Sequence, residues 1–191
     1  MRHRQPQLSL LLATTILLVT SFSARPEIVV THPEIRETAN HYMINAKFSY
    51  ILGKSVIDAL KNGIPIVFVA EYIMEEVAPF WATNKPIKKR EHRFVLSYRE
   101  FTNRYYLISL SNNSHGTYDT IEEAINKMTV RHDALIVDKA LLSNDKSYQA
   151  KIRSSIDSKA LPGLIRPYVY TPYLWSEWKL DSGWRAIQIE Q

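Results

Sequence analysis

The chain has 191 residues, with 24 lysines and arginines against 19 aspartates and glutamates, and its formal net charge is +5. It contains no cysteine, which excludes disulfides, thiolate metal sites and a bacterial lipoprotein anchor. The charge is too modest to indicate nucleic-acid binding. Because the chain lacks disulfides and thiolate metal sites, the sequence predicts a protein held together by an apolar core.

The N-terminal segment has the order of a secretory signal. Two arginines form a basic start, an uncharged apolar run extends from Leu8 to Phe22, and small residues precede Arg25. This run is shorter than the roughly 20 residues that span a bilayer as a helix. We therefore expect residues 1–23 to be a signal peptide removed on export to the periplasm, with an uncleaved inner-membrane anchor as the alternative. A full-length mass in the membrane fraction would support the anchor.

Residues 24–191 are expected to form a single α+β envelope domain in which strand patterns outnumber helical ones. The segment "EIVVTHPEI" is rich in β-branched residues and must break at Pro33. In "HYMINAKFSYIL" the apolar residues alternate from Tyr42 to Leu52, and "IPIVFVAEYIM" is a nearly continuous buried run. These patterns predict strands that enclose a common core.

The central part of the chain predicts a hairpin. "HRFVLSY" places apolar residues on one face, and "NRYYLISL" follows after a short turn at residues 100–102. Just before this hairpin, the basic run "KPIKKREHR" covers Lys85 to Arg93. We interpret that run as a solvated connection between strands. The alternative is a patch attracted to anionic lipid or to a partner.

Two short helices interrupt the strand patterns. In "GKSVIDALKNG", Ser55 is the expected N-cap and Gly63 the left-handed residue that ends the helix. In "TIEEAINKM", Thr120 and Glu123 are spaced as a capping box. The buried stripe of this second helix consists of apolar residues at helical spacing, namely Ile121, Ala124, Ile125 and Met128.

Together these elements predict an α+β fold that is mostly antiparallel β, with sandwich-like sheets and two short α-helices. Alternating polarity over residues 176–186 predicts a half-buried closing strand, with Trp178, Leu180 and Trp184 facing inward. A hairpin that turns at residues 181–183 is the alternative within residues 175–189, and it would bring the two tryptophans together across the strands.

A third tryptophan marks the candidate binding surface. Trp175 has the opposite parity to Trp178 and Trp184, and Tyr170 and Tyr173 lie close to it in sequence. Exposed aromatic side chains give large contact areas at little entropic cost, which is typical of interfaces. We therefore name Trp175, Tyr173 and Tyr170 as candidate binding residues.

The sequence carries no recognisable signature of catalysis. The histidines show no metal-binding spacing, and no nucleophile elbow or phosphate-binding glycine loop occurs. We therefore name no catalytic residue, no metal ligand and no cofactor. His132 and Asp133 could serve an acid-base site if a partner group approached them. The simpler interpretation places His132 near the end of a helix and His115 in a polar turn.

The order of several motifs resembles a known family. The motifs are "VIDALKNGIPIVF", "APFW", "LSYREFTNRYYL", "TIEEAI", "LPGLIRP" and "WKLDSGW". In this order they are similar to exported Gram-negative bacterial proteins grouped as domain-of-unknown-function family 4390. The resemblance implies an envelope protein with no established activity, often encoded near a sensor histidine kinase of the nitrogen-regulation type. It supplies no functional residues.

These observations favour a non-enzymatic exported envelope protein that binds a partner protein or ligand, with a role as accessory to a membrane sensor kinase as one form of this function. The alternative is an envelope hydrolase or isomerase with an acid-base site around His132. The expected partner is an envelope or membrane protein rather than a nucleic acid. Contact with the membrane itself is expected only through the N-terminal segment, if that segment is retained.

Overall fold

The computed structural model describes residues 25–163, 166–169, 171 and 177–189, except for the side chains of residues 130–133, 168 and 169. The helices are α1 (Lys54–Lys61), α2 (Ile121–Thr129) and α3 (Arg166–Val169). The strands are β1 (Glu27–Val30), β2 (Glu34–Glu37), β3 (His41–Ile51), β4 (Ile66–Glu76), β5 (Lys85–Arg99), β6 (Arg104–Ser109), β7 (Ser114–Tyr118), β8 (Val130–Asp138), β9 (Tyr148–Ile156) and β10 (Arg185–Gln188).

The strands form two antiparallel sheets. The larger has the order β10-β9-β4-β5-β6-β7. In the smaller sheet β3 is central, with β1 and β2 along one side and β8 along the other. Pro33 separates β1 from β2, as the sequence predicted. The predicted hairpin is also present, since a 3-10 turn at Glu100–Thr102 joins β5 to β6.

The two sheets pack face to face through aromatic side chains. From Tyr42 to Tyr50, alternate residues of β3 are buried, as the alternation predicted. Two edge-to-face ring pairs cross between the sheets, with centroids 6.3 Å apart for Phe48 and Tyr72 and 5.5 Å apart for Tyr50 and Phe68. The predicted mostly antiparallel α+β fold with sandwich-like sheets is confirmed.

Two polar contacts also join the sheets inside the core. The hydroxyls of Tyr50 and Ser154 form a buried hydrogen bond of 3.0 Å. The His92 Nε2 atom lies 2.9 Å from the carbonyl oxygen of Ala134 in β8. Buried polar groups are costly unless they are paired, so each contact fixes the position of one sheet over the other.

Helix α2 begins with the expected capping chemistry. The Thr120 hydroxyl accepts the backbone N–H of Glu123 at 3.2 Å, and the Glu123 carboxylate accepts the backbone N–H of Asp119 at 3.2 Å. Ala124 and Met128 are fully buried. The second helix is therefore confirmed in its start and in its buried stripe.

Helix α1 corrects one prediction. Its N-cap is Gly53, which makes no side-chain capping bond, so Ser55 is not the cap. The backbone N–H of Ser55 instead donates to the carboxylate of Glu177 at 2.7 Å. This cap comes from a residue distant in sequence, which a local motif cannot reveal. Gly63 follows the helix with φ +79°, as predicted.

The closing stretch is neither a single strand nor a hairpin. Trp178 and Leu180 are buried, as predicted, but Asp181 makes only an isolated bridge to Ser155 before β10 pairs with β9. Trp184 is 39% exposed, so its assignment to the core is wrong. The reason is Gly183, whose φ of +66° turns the chain and interrupts the alternation between the two tryptophans.

The basic run from Lys85 to Arg93 is also reassigned. It forms the first part of β5 rather than a solvated connection. The predicted signal segment, residues 1–23, lies outside the described residues. Within the described part of the chain, no helix combines the length and apolarity needed to cross a membrane.

Truncation of Trp178 tests the packing of the closing stretch. Trp178→Ala should lower the free energy of unfolding by about 3 to 5 kcal/mol, because it opens a cavity in the core. Trp184→Ala is the matched control and should cost about 1 kcal/mol, since it loses mainly contacts with the half-buried cations of Lys151 and Arg153. Denaturant midpoints measure both. Equal losses would show that Trp178 is not a core residue.

Candidate functional site

The outward surface of the six-stranded sheet carries a cluster of ionic side chains, here called the charged face. Two glutamates of β4, Glu71 and Glu75, are nearly fully buried on this side. They are flanked by cations of the neighbouring strands, namely Lys89 of β5 and Lys151 and Arg153 of β9. Because side chains alternate along β4, Glu71 and Glu75 point to the same face of the sheet. β4 lies between β5 and β9, so the side chains of both neighbours limit the contact of the glutamates with water.

Glu71 is held by two cations. Arg153 donates to it through Nε at 2.9 Å and also through a terminal guanidinium nitrogen. Lys89 Nζ lies 3.1 Å from the other carboxylate oxygen. Burial alone would raise the pKa of Glu71, but these charge-assisted bonds outweigh it and hold the pKa below the ordinary value. The carboxylate therefore acts as an ion-pair acceptor rather than as a proton donor.

Glu75 is held mainly by neutral donors. Its Oε1 atom accepts from Gln149 Nε2 at 2.6 Å and from Asn84 Nδ2 at 2.7 Å. Lys151 Nζ lies 3.6 Å from the same oxygen. Burial raises the pKa of Glu75, but the hydrogen bonds from the two amides and the charge of Lys151 lower it by more. The net shift of the pKa is therefore downward. The side chain of Asn84 ties the end of β4 to the start of β5.

Trp184, wrongly assigned to the core, covers one end of the charged face. Its ring lies 4.7 Å from the guanidinium carbon of Arg153 and 5.3 Å from Lys151 Nζ. A cation held against an indole face is attracted by the ring and partly shielded from water. The tryptophan thus supports the cations that neutralise the two glutamates.

A cavity of about 300 Å³ adjoins the charged face. Arg93 borders it and bonds to Asp157 at 2.8 Å and to the Glu91 carboxylate. The hydrogen bond that Arg93 donates to Asp157 is the largest cause of the raised pKa of Arg93. Most of the charged groups that line this cavity form ion pairs, so their arrangement favours a rigid sheet surface over acid-base catalysis.

A wider cavity of about 590 Å³ lies where α1 and the N-terminus of α2 meet the β5–β6 hairpin. Tyr98 and Tyr105 line it with ring centroids 4.9 Å apart, and the Tyr98 hydroxyl donates to Asn103 Oδ1 at 2.6 Å. Burial is the main cause of a raised pKa at Tyr105. Tyr105 therefore stays neutral, and the open, largely polar cleft lacks the apolar enclosure typical of a small-molecule site.

Over residues 85–90, β5 has a side with which no described strand pairs, here called the open edge. β6 pairs only with residues 94–99 of this strand. The carbonyl of Arg93 accepts the backbone N–H of Leu110, and the carbonyl of Glu91 accepts the Ser111 hydroxyl. The N–H of Arg93 also donates to that hydroxyl, so the backbone groups of both β5 residues face the β6 side. Alternation along the strand then directs the N–H and C=O of Lys89 to the same side, where no described strand pairs with them.

The open edge is strongly basic. Lys85, Lys88, Lys89 and Arg90 are exposed, and among the described residues only Lys89 of these four forms an ion pair. Lysines and arginines along an exposed edge oppose pairing with a second copy of the same strand. They also favour an approaching segment of opposite charge.

The residues named from sequence have mixed outcomes. Trp175, Tyr173 and Tyr170 lie outside the described residues, so the aromatic binding surface stays a prediction. His132 lies in β8, three residues after the end of α2, and its side chain also lies outside the described part. His115 is exposed in β7 rather than in a turn. Sequence reasoning missed the charged face, although polar residues recur at every second position of β9 and include the charged pair Lys151 and Arg153.

Comparison with known proteins identifies a family but no function. The model of a family described as "Domain of unknown function (DUF4390)" matches residues 25–188. No curated protein and no solved structure matches the chain.

Glu71→Gln should make the stability less dependent on pH. The folded-state pKa of Glu71 is lowered, so its ion pairs stabilise the protein above the ordinary value of 4.5 and lose this effect as the pH falls through the folded-state pKa. The substitution should cost about 1 to 3 kcal/mol at neutral pH, and the difference from wild type should shrink in acid.

Glu34→Gln is the matched control, because Glu34 also contacts an arginine but is exposed. It should change the free energy of unfolding by less than about 0.5 kcal/mol at any pH. Thermal or denaturant unfolding across the acid range measures both variants. A Glu71→Gln deficit that persists unchanged at low pH would contradict the ion-pair account.

Proposed function

Because the chain belongs to the DUF4390 family, whose description names no activity, we propose from its geometry that it is a non-enzymatic binding module of the cell envelope. Its partner is an envelope protein that adds an extended acidic segment to the open edge of β5. The observation that carries this proposal is the side of residues 85–90 that β6 does not reach and that no other described strand covers.

The backbone of the open edge provides the affinity. Lys89 directs one donor and one acceptor away from β4, and an extended segment beside it would pair with both. Each such hydrogen bond contributes about 0.5 to 1.5 kcal/mol net, so a segment of several residues is needed for stable binding. Strand addition uses backbone groups that no described strand pairs with in the free protein.

The side chains along the edge provide selectivity. Lys85, Lys88 and Arg90 present three positive charges that are not neutralised by other described residues. A second β5 strand would bring like charges together, whereas an acidic segment would bring opposite charges together. The same charges therefore disfavour self-association and favour an acidic partner.

The charged face keeps the edge ready for binding. Lys89 is bonded to Glu71, and Glu71 is bonded to Arg153 on the far side of β4. These bonds link β5, β4 and β9 into one surface behind the open edge. A preformed edge loses little conformational entropy when a partner binds, which leaves more of the interaction energy as affinity.

The proposed location follows from the N-terminal pattern and from the resemblance to exported proteins. A secretory signal over residues 1–23 would deliver the domain to the periplasm. Membrane proteins with periplasmic segments are then within reach, and a sensor kinase is the first partner to test. An acidic extended segment in the periplasmic part of that kinase would fit the open edge.

Lys89→Pro should abolish partner capture without unfolding the domain. Proline removes the outward N–H of Lys89, and proline is tolerated on a strand edge because no ladder bond inside the sheet is lost. A photo-crosslinking amino acid at position 88 would report proximity in intact cells. Mass spectrometry of the crosslink should map an extended acidic segment of an envelope protein.

Lys89→Ala is the matched control, since it removes the same ion pair with Glu71 but keeps the backbone N–H. Capture should persist in Lys89→Ala and be lost in Lys89→Pro, while the two variants keep similar melting temperatures. Equal capture by both folded variants would refute strand addition, as would a crosslinked segment that is helical or basic.

A further inference from the structure

The connection between β4 and β5 carries two adjacent aromatic residues in full view of solvent. Phe80 is 101% exposed and Trp81 is 76% exposed. They stand at the end of the long β4–β5 hairpin and are here called the aromatic tip. Large apolar side chains exposed side by side are uncommon on a monomeric protein and mark interaction sites.

The backbone around the aromatic tip is held in place by specific bonds. Asn84 Oδ1 accepts the N–H of Ala78 at 2.9 Å, and Asn84 Nδ2 donates to Glu75. The N–H of Ala82 donates to the carbonyl of Pro79 at 2.8 Å, which closes a turn around the two aromatics. The exposure of Phe80 and Trp81 therefore belongs to a defined turn.

Positive charge surrounds the base of the aromatic tip. Lys85 follows it along β5, and Lys88 lies about 10 Å further along the strand at 3.3 Å per residue. The nearest acidic residues of β4 are paired, since Glu75 is bonded to Asn84 and Glu76 lies 2.9 Å from Lys146. Asp145, on an adjacent loop, is next to Lys146 and bonded to Ser143.

We propose that the aromatic tip inserts into the interface of an anionic lipid bilayer, with Lys85 and Lys88 against the lipid phosphates. Tryptophan favours the headgroup region of a bilayer, and each nearby lysine contributes about 1 kcal/mol of attraction to an anionic surface. This membrane contact does not rest on the proposed capture of a partner strand, although both use the charges of Lys85 and Lys88.

The shape of the aromatic tip favours lipid over a folded protein. Two side chains at the end of a hairpin form a small convex projection rather than a broad patch. A stable protein interface needs roughly 800 Å² on each partner, which two residues do not provide. Lipid closes around a projection and buries both rings without a complementary pocket.

The position of the tip separates this contact from any N-terminal anchor. Glu27 of β1 pairs with Ile51 at the end of β3. Tyr50, which precedes Ile51, packs on Phe68 near the start of β4. The chain therefore enters the domain at the end opposite the aromatic tip. Membrane contact at the tip would thus add to, rather than repeat, contact through the N-terminal segment.

The test uses protein recovered from the cell envelope, so that all variants carry the same N-terminus. Binding is measured to phosphatidylcholine vesicles with and without phosphatidylglycerol. The double variant Phe80→Ser/Trp81→Ser should bind the anionic vesicles at least about tenfold more weakly than wild type, because two apolar rings are lost. The matched control Phe101→Ser removes an equally exposed ring at the opposite end of β5 and should bind like wild type.

Two further variants separate insertion from general adhesion. Lys85→Gln/Lys88→Gln should weaken binding only to the anionic vesicles and reduce its dependence on salt. Brominated lipids should quench the tryptophan fluorescence of wild type, and Trp81→Phe should bind but lose most of that quenching. Equal quenching in wild type and Trp81→Phe would overturn the proposal. Vesicle binding by the double serine variant that equals wild type would also overturn it. If that variant bound vesicles normally but lost its attachment to the envelope in cells, the tip would contact a protein and not lipid.

Discussion

The unequal lengths of the neighbours of β5 determine where this protein can interact. β5 has 15 residues, β4 pairs with it along most of that length, and β6 covers only its last six. Among the described strands, the first half of β5 is therefore paired on one side alone. The unpaired backbone groups of Lys89 result from this difference, and the exposed cations and the aromatic tip lie on the same part of the hairpin.

The exposed half of β5 is stable because the sheet behind it is rigid. Glu71 and Glu75 would be costly to bury without partners, yet each is surrounded by donors from the neighbouring strands. These bonds connect β5 to β4 and β9 on the outer face, while aromatic packing joins β4 to β3 on the inner face. The edge therefore extends from a fixed support.

The sequence predicted those elements whose signals are local. The alternation in β3 and the capping box of α2 were both recovered, because neighbouring residues alone determine them. β9 was missed, although "YQAKIRSSI" alternates, because polar Ser154 occupies an inward position. That serine is tolerated only through its bond to Tyr50 on the other sheet, a contact that no local pattern shows.

Hydrogen exchange of the β5 backbone amides tests the central claim most directly. In the isolated protein, the amide of Lys89 should exchange much faster than those of Lys88 and Arg90, which face β4. When the captured partner segment is added, Lys89 should become protected while its two neighbours change little. Slow exchange at Lys89 in the free monomer, or no protection when the partner is bound, would contradict the open-edge account.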